Sequence, residues 1–238
     1  MMGHTAAGTD VGRTRDHNED DYLVTTYGDR TLLAVADGMG GHRAGDVASE
    51  TALDAFEAAL ADRLDGSGDD LAASLRAAAE AANDRVHERA RTEGREGMGT
   101  TLVAALVRDD EATVVNVGDS RAYHVDGSAI DRITVDQSLV QSLIEEGVVD
   151  PDEAADHPQR HVLSQALGTD DDVDPDVYER SVSGTLLLCS DGLTEEVPEP
   201  SIREAVVDES PDDAVDRLVG AANDNGGSDN ITVVLHRP

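Results

Sequence analysis

The chain has 238 residues, of which 51 are acidic and 18 basic, and its formal net charge is −33. Such a charge argues against nucleic acid or an anionic membrane surface as a partner. The acidic residues are interleaved with apolar periodicity along the whole length, so we expect one folded domain over residues 1–238 rather than a solvating tail. An acidic surface of this kind is expected of a halophilic protein that works at very high salt, where screening removes most of the self-repulsion.

Cysteine and hydropathy exclude further classes of protein. Cys189 is the single cysteine, which rules out a disulfide framework and a cysteine-based zinc site. No apolar run approaches the length of a membrane span, and residues 1–5 lack the charged and apolar regions of a signal peptide. These observations predict a soluble, cytoplasmic protein.

The predicted elements alternate between strands and helices. Two strands enclose a turn at Gly28-Asp29, and two Ala-rich helices follow on either side of a Gly66-Ser67-Gly68 loop; these elements cover residues 22–26, 31–36, 44–64 and 71–90. A series of strands with short turns then suggests an antiparallel meander over residues 99–107, 112–117, 121–125 and 129–135.

The second half of the chain mixes a polar insertion with further regular elements. A short helix at 138–147 precedes a polar segment at 150–168, which we interpret as a helical surface insertion. Strands at 177–182, 185–189 and 231–236 enclose helices at 201–207 and 211–222. Many strands with two pairs of long helices indicate an α+β fold, in which two sheets pack face to face beneath helices.

Carboxylates recur where predicted buried strands end. Asp37-Gly38 and Asp191-Gly192 follow apolar strands, Asp119 follows another, and Asp229 precedes the last strand. An Asp-Gly pair alone is also a common hairpin turn, but its repetition after two buried strands favours a site. Gathered carboxylates repel one another unless a cation lies between them, so the pattern predicts a metal centre with oxygen ligands.

Two other templates fail on particular residues. A cysteine-phosphatase loop at Cys189 needs an Arg six positions later, where Glu195 stands. The acidic run beginning at Asp170 starts like a calcium loop, but Pro175 replaces the required glycine and Ser181 the bidentate Glu.

Six segments in order resemble the bacterial branch of the metal-dependent serine/threonine protein phosphatases of type 2C. They are RDHNED at 15–20, ADGMGGHRAGDVAS at 36–49, GMGTTLVAAL at 97–106, VNVGDSRAY at 115–123, LLLCSDGLTEEV at 186–197 and GGSDNITVV at 226–234. Together they cover nearly the whole chain, and their shared order makes the resemblance specific.

The resemblance implies a four-layer αββα sandwich and a site with two Mg²⁺ or Mn²⁺ ions and a possible third. The implied metal ligands are Asp37 as a bridge, the Gly38 carbonyl, Asp191, Asp229, Glu19 and, with Asp191 at the third position, Asp119; Asp20 would hold a metal-bound water or act as a close ligand. The implied reaction is attack of a metal-activated water on phosphoserine or phosphothreonine, without a phosphoenzyme.

Arg15 and His42 are the remaining implied site residues. Arg15 would hold the phosphate oxygens through its planar guanidinium. His42 either protonates the leaving oxygen or only supports its loop, because eukaryotic relatives place their histidine at the position that Met39 occupies in this chain. His17 and His161 are interpreted as surface or flap residues.

Residues at about 138–168 correspond to the flap of the family, which would select substrates. Phosphorylated proteins, and with them a cognate serine/threonine kinase, are the expected partners. The alternative is a pseudophosphatase that only binds; it predicts loss of the metal carboxylates, and Asp20, Asp37, Asp191 and Asp229 are all present. An acidic cation-buffering protein would lack the periodic core that this chain has.

Overall fold

A computed structural model describes residues 3–40, 44–65, 70–93, 95 and 97–238. The strands within these ranges are β1 His4–Asp10, β2 Asp20–Tyr27, β3 Arg30–Met39, β4 Gly99–Thr100, β5 Leu102–Arg108, β6 Glu111–Val117, β7 Arg121–Val125, β8 Ile130–Arg132, β9 Asp176–Ser181, β10 Thr185–Cys189 and β11 Ile231–Arg237. The helices are α1 Ala44–Asp65, α2 Leu71–Glu93, α3 Leu139–Glu145, α4 Asp191–Thr194, α5 Glu199–Asp208 and α6 Pro211–Asn225, and a 3₁₀ helix spans Pro151–Asp156. The predicted loop at Gly66-Ser67-Gly68 lies outside the described residues.

Two antiparallel sheets form the centre of the molecule. One has the strand order β2-β3-β5-β6-β9, with β4 paired to β3, and the other has the order β1-β11-β10-β7-β8. Apolar side chains such as Val35, Val103 and Leu188 fill the space between the sheets. A second apolar layer, which includes Phe56, lies between the first sheet and α1 and α2, and a third, which includes Leu218, lies between the other sheet and α5 and α6. The predicted α+β, four-layer αββα sandwich is therefore confirmed.

The position of β3 explains its sequence. It lies between β2 and β5 and is covered by helices on one face and by the second sheet on the other. Leu32 to Ala36 are consequently all buried, and the strand reads as a continuous apolar run rather than an alternating one. The strand continues beyond its predicted end because Gly38 and Met39 pair with Thr100 and Gly99 of β4.

The predicted antiparallel meander over residues 99–135 is wrong. β5 and β6 form a hairpin in one sheet, whereas β7 and β8 form a hairpin in the other. The chain changes sheets at Gly118, which has φ of +99°, and a Cβ there would lie 2.7 Å from Thr101 Cγ2. The sequence does not distinguish the two hairpins, since each is a pair of strands joined by a short turn.

Three other features differ from the sequence-based expectations. The sequence pattern does not predict β1, although this strand pairs with β11 along its whole length. It does not predict the single-turn helix α4 either. The only helix described in the segment at 150–168 is the 3₁₀ helix Pro151–Asp156, and the rest runs in turns and isolated bridges. No helix among the described residues is long and apolar enough to cross a membrane.

Candidate active site

Two of the predicted ligands lie opposite each other on neighbouring strands. Asp20 at the start of β2 pairs with Asp37 of β3 in the ladder. The Asp37 backbone is held on both sides: its N–H donates to Thr101 Oγ1 at 3.0 Å, and its carbonyl accepts from Thr100 Oγ1 at 2.9 Å. The hydroxyl of Thr101 is in turn 2.7 Å from Ser120 Oγ. The position of Asp37 is thus set by three strands and not by its own turn.

Gly38 and Gly45 allow the start of α1 to approach β3. A Cβ on Gly38 would lie 2.1 Å from the Gly45 carbonyl oxygen, and one on Gly45 would lie 2.7 Å from Glu19 Oε1. The Gly38 N–H donates to the Glu19 carbonyl at 3.1 Å, and the Gly45 N–H donates to Glu19 Oε1 at 3.2 Å. These contacts place the half-buried Glu19 carboxylate beside Gly38.

Asp191 begins α4 directly after β10. Ser190, which precedes it, is fully buried and donates from Oγ to Asp20 Oδ2 at 2.7 Å. The Thr232 N–H donates to the same Ser190 Oγ at 3.0 Å. One serine therefore connects β10, β11 and β2 and fixes the rotamer of Asp20.

Asp229 and Arg15 face each other across the mouth of the site. Arg15 Nη2 donates to Asp229 Oδ2 at 2.5 Å, and the Arg15 side chain is about half exposed at 48%. Asn230 anchors this region, because its Oδ1 accepts from the Glu19 N–H at 2.8 Å and its Nδ2 donates to the carbonyls of Val11 and His17. Arg15 can therefore exchange a carboxylate partner for a phosphate without a change of fold.

Burial and mutual repulsion dominate the electrostatics of the site. Burial raises the pKa of Asp20 to about 7 and that of Asp119 to about 8, and in both cases the charge on Asp191 adds to the effect. Burial also raises the pKa of Asp37, and the charges of Asp20 and Asp191 raise it further. The pKa of Asp191 is raised by burial and by Asp229. Such carboxyls ionise readily only if positive charge compensates them.

Seven of the predicted residues line one cavity of about 740 Å³, and Asp20 is buried opposite Asp37 in the β2–β3 ladder. They are Arg15, Glu19, Asp37, Gly38, Asp119, Asp191 and Asp229. Oδ1 of Asp20 and Oδ1 of Asp191 are buried without a hydrogen-bond partner. Unpaired buried oxygens among carboxylates fit hard divalent cations, so the donor set suits Mg²⁺ or Mn²⁺. His42 lies outside the described residues.

His161 and Glu195 are site residues that sequence reasoning missed. Among the described residues, the group of acidic and histidine ligand atoms that all lie within 4.8 Å of one another is His161, Asp191 and Glu195. His161 Nδ1 is 3.0 Å from Glu195 Oε1, and burial raises the pKa of Glu195. Glu195 lies in a family-like segment and His161 in the flap, but nothing local indicates that the two segments meet.

Comparison with known proteins agrees with this architecture. The sequence matches the family described as Protein phosphatase 2C over residues 7–235. The serine/threonine phosphatase stp of Listeria monocytogenes is 39% identical over 241 residues, which is 98% of this chain and 94% of that protein.

Solved structures show the same fold. The serine/threonine phosphatase PstP/Ppp of Mycobacterium tuberculosis superposes with a TM-score of 0.89 at 40% identity, over 100% of this chain and 99% of that one. The catalytic domain of PstP in complex with two manganese ions superposes with a TM-score of 0.85 at 39% identity, over 99% and 98% of the two chains. From its carboxylate-lined cavity, its fold and these relatives, we conclude that the chain belongs to the protein phosphatase 2C family of metal-dependent serine/threonine protein phosphatases.

Proposed function

We propose that two divalent cations of this phosphatase are held by Asp37, Gly38, Asp191 and Asp229 together with Glu19 and Asp20. In this assignment Asp37 would serve both cations, and Asp119 with Asp191 would hold a third. When bound, Mg²⁺ or Mn²⁺ supplies Lewis-acid stabilisation of the phosphate and activates water near neutral pH. The observation that carries the proposal is the pair of unpaired buried oxygens on Asp20 and Asp191.

The residues of the chain orient the ligands before any substrate binds. Ser190 and Thr232 hold Asp20, and Thr100 and Thr101 hold the backbone of Asp37. A preorganised ligand set lowers the cost of gathering like charges when the substrate arrives.

Arg15 is proposed to bind the phosphate of the substrate. Its guanidinium stands at the cavity wall, beside Asp229, with about half of its surface open. A guanidinium can bind two phosphate oxygens at once and so can orient phosphorus for in-line attack. Arg15 pairs with Asp229, and if that carboxylate held a cation the guanidinium would be free to bind the phosphate.

Residues 138–168 are proposed to act as a flap that selects substrates. They contribute Arg160, His161 and Leu163 to the wall of the cavity. Phosphoproteins made by a cognate serine/threonine kinase are the proposed substrates, in the cytoplasm. The acidic surface is proposed to suit a halophilic environment, since a net charge of −33 repels itself least at high salt.

The test is phosphate release from a phosphothreonine peptide in molar KCl, with MnCl₂ and then with excess EDTA. We expect release only with Mn²⁺, and we expect Asp37→Asn and Asp191→Asn to abolish it. Mn²⁺ binding measured by calorimetry should weaken in both variants, whereas the exposed Asp216→Asn on α6 should leave activity and binding intact. Unchanged Mn²⁺ affinity in Asp191→Asn would contradict the ligand assignment.

The pseudophosphatase alternative gives a different result in the same assay. A folded chain, checked by circular dichroism, that binds phosphopeptide without releasing phosphate under any metal would support it. The complete set of carboxylates at the cavity favours the enzyme.

A further inference from the structure

A second cavity of about 640 Å³ adjoins the active-site cavity. The two share a wall formed by six residues: Asp119, Arg160, His161, Asp191, Glu195 and Ser228. The lining of the second cavity includes the aliphatic side chains Val140, Ile144 and Pro151 and the charged side chains Arg121, Arg132 and Asp136. An extended segment of substrate can thus run from the first cavity into the second.

Arginine is concentrated at this cavity in a chain that has few cations. Three of the 18 basic residues, Arg121, Arg132 and Arg160, line it. Arg121 is fully engaged: its Nε and Nη2 donate to Asp136 at 3.0 and 2.7 Å, and its Nη1 donates to Tyr123. Arg121 and Asp136 therefore form a neutral, hydrogen-bonded ion pair. Arg132 contacts the same Asp136 and contributes an additional positive charge.

The other acidic residues that line the second cavity already have partners or a proposed role. Glu196 accepts from the N–H and the hydroxyl of Ser228 at 3.1 and 2.5 Å. Glu195 lies 3.0 Å from His161. Asp119 and Asp191 belong to the proposed metal set, where bound cations offset their charge. Arg132 and Arg160 therefore remain as the arginines of this lining that can bind a further anion.

Arg132 and Arg160 retain guanidinium N–H groups that can donate to a ligand. Arg132 reaches Asp136 through Nη1 alone, at 3.3 Å, and the side chain is 31% exposed. Arg160 lies 3.9 Å from Glu195, beyond hydrogen-bond distance, and the side chain is 45% exposed. A guanidinium has five N–H donors in a planar fork, so each residue retains the geometry that binds a carboxylate or a phosphate.

We propose that this cavity is a substrate subsite in which Arg132, supported by Arg160, binds an anionic side chain next to the phosphorylated residue. The ligand is an acidic side chain or a second phosphorylated residue of the same substrate chain. Because the two cavities adjoin, we place it within about four positions on either side of the phosphorylated residue, each of which advances an extended chain by roughly 3.3–3.6 Å. The inference rests on the proposed function, since it places the reacting phosphate in the neighbouring cavity. Short-range contact through the guanidinium keeps this recognition effective at high salt, where long-range attraction is screened.

The experiment compares kcat/KM for phosphothreonine peptides that differ at one flanking position. The parent has alanine flanks, and each of the four positions on either side is changed in turn to Asp, to isosteric Asn or to a second phosphothreonine. At the best position we expect Asp to exceed Asn by about tenfold, the effect of one charge-assisted hydrogen bond. The second phosphothreonine distinguishes the two sources of negative charge, and a preference for either anion supports the subsite.

Variants test the assignment to Arg132. In Arg132→Gln the Asp-to-Asn ratio should fall to about one, and Arg132→Lys should restore part of it. Arg180→Gln, an exposed arginine of β9 outside both cavities, should keep the wild-type ratio. The proposal would be overturned if the wild type had the same kcat/KM for neutral and anionic residues at every position. It would also be overturned if Arg132→Gln kept the wild-type Asp-to-Asn ratio of kcat/KM.

A measurement on the wild-type protein covers the case in which Arg132→Gln does not fold. An unphosphorylated peptide with Asp at the preferred position should inhibit about tenfold more strongly than its Asn counterpart, and equal inhibition would overturn the subsite. Failure of the metal-site proposal looks different, because the alanine-flanked parent would then show no Mn²⁺-dependent release at all.

Discussion

Asp20, Asp37, Asp119 and Asp191 each have a raised pKa, caused first by burial and then by neighbouring carboxylates. Burying such groups lowers the free energy of unfolding, because the ionised carboxylates are more stable in water than in the folded protein. The loss is concentrated at the cavity, where cations compensate the charge. Single residues at the cavity should therefore control how the protein responds to pH and to substitution.

In EDTA, Asp119→Asn should become more stable than the wild type as pH rises. The folded carboxyl holds its proton up to a pKa of about 8, whereas the unfolded one releases it near 3.8. Stability of the wild type is therefore lost between about pH 4 and pH 8, and asparagine removes that loss. Thermal unfolding at several pH values measures the difference, which should grow towards pH 8. If the unfolding temperatures of wild type and Asp119→Asn changed in parallel with pH, or if Asp216→Asn gained stability in the same way, burial of Asp119 would not be the cause.

Arg15→Ala should raise KM for a phosphothreonine peptide by about tenfold, the effect of losing a charge-assisted contact to phosphate. Its partner Asp229 loses an ion pair that is partly exposed, so the effect on folding should be small. Steady-state kinetics beside Arg180→Ala, which removes an arginine far from the cavity, provides the matched comparison. An unchanged KM would count against the phosphate role.

At the scale of elements, one buried side chain of α2 holds the loop that forms part of the cavity wall. Asn83 is 1% exposed, and its Oδ1 accepts from the Gly168 N–H at 2.8 Å. Its Nδ2 donates to the carbonyls of Asp170 and Asp171, each at 3.2 Å. Thr169 and Asp170 line the active-site cavity. A helix on the outer layer thus determines where part of the substrate wall lies.

Asn83→Ala should lower the free energy of unfolding by about 1–3 kcal/mol, since it leaves buried loop groups unpaired. We also expect a higher KM for phosphopeptide with a smaller change in Mn²⁺ affinity, because the proposed metal ligands lie on other elements. Chemical denaturation, kinetics and calorimetry give the three readouts. Asn225→Ala, which removes an exposed hydrogen bond to the Glu196 carbonyl, is the control. If Asn83→Ala and Asn225→Ala lowered the free energy of unfolding and raised KM to the same extent, the buried Asn83 side chain would have no special role.

For the whole molecule, the charge of −33 is the dominant property. Cations are few, and several are committed to pairs such as Arg121 with Asp136. Most acidic side chains lie on the surface, and their repulsion acts on the compact state more strongly than on the extended chain. The core offsets this with Val, Leu and Ala, since the chain has one Phe and no Trp.

Raising KCl from 0.1 M to 2 M should increase the unfolding temperature by at least about 5 °C, or roughly 2 kcal/mol for a chain of this size. Differential scanning calorimetry at several salt concentrations measures the shift. The double variant Asp216→Asn and Asp224→Asn, with two exposed charges removed from α6, should be more stable than the wild type at low salt and similar to it at high salt. An unfolding temperature independent of KCl would contradict a salt-adapted surface.

The family, the αββα fold class and the carboxylates at the strand ends could all be predicted from the sequence, because apolar periodicity and short motifs are local and ordered along the chain. The change of sheets at Gly118 could not be predicted, since every strand offers the same backbone hydrogen bonds to any neighbour. The same is true of three side-chain contacts: Ser190 with Asp20, His161 with Glu195, and Arg132 with the Arg121–Asp136 pair. These contacts join distant segments or depend on side-chain direction. Apolar periodicity predicts which side chains are buried but not which of them are in contact.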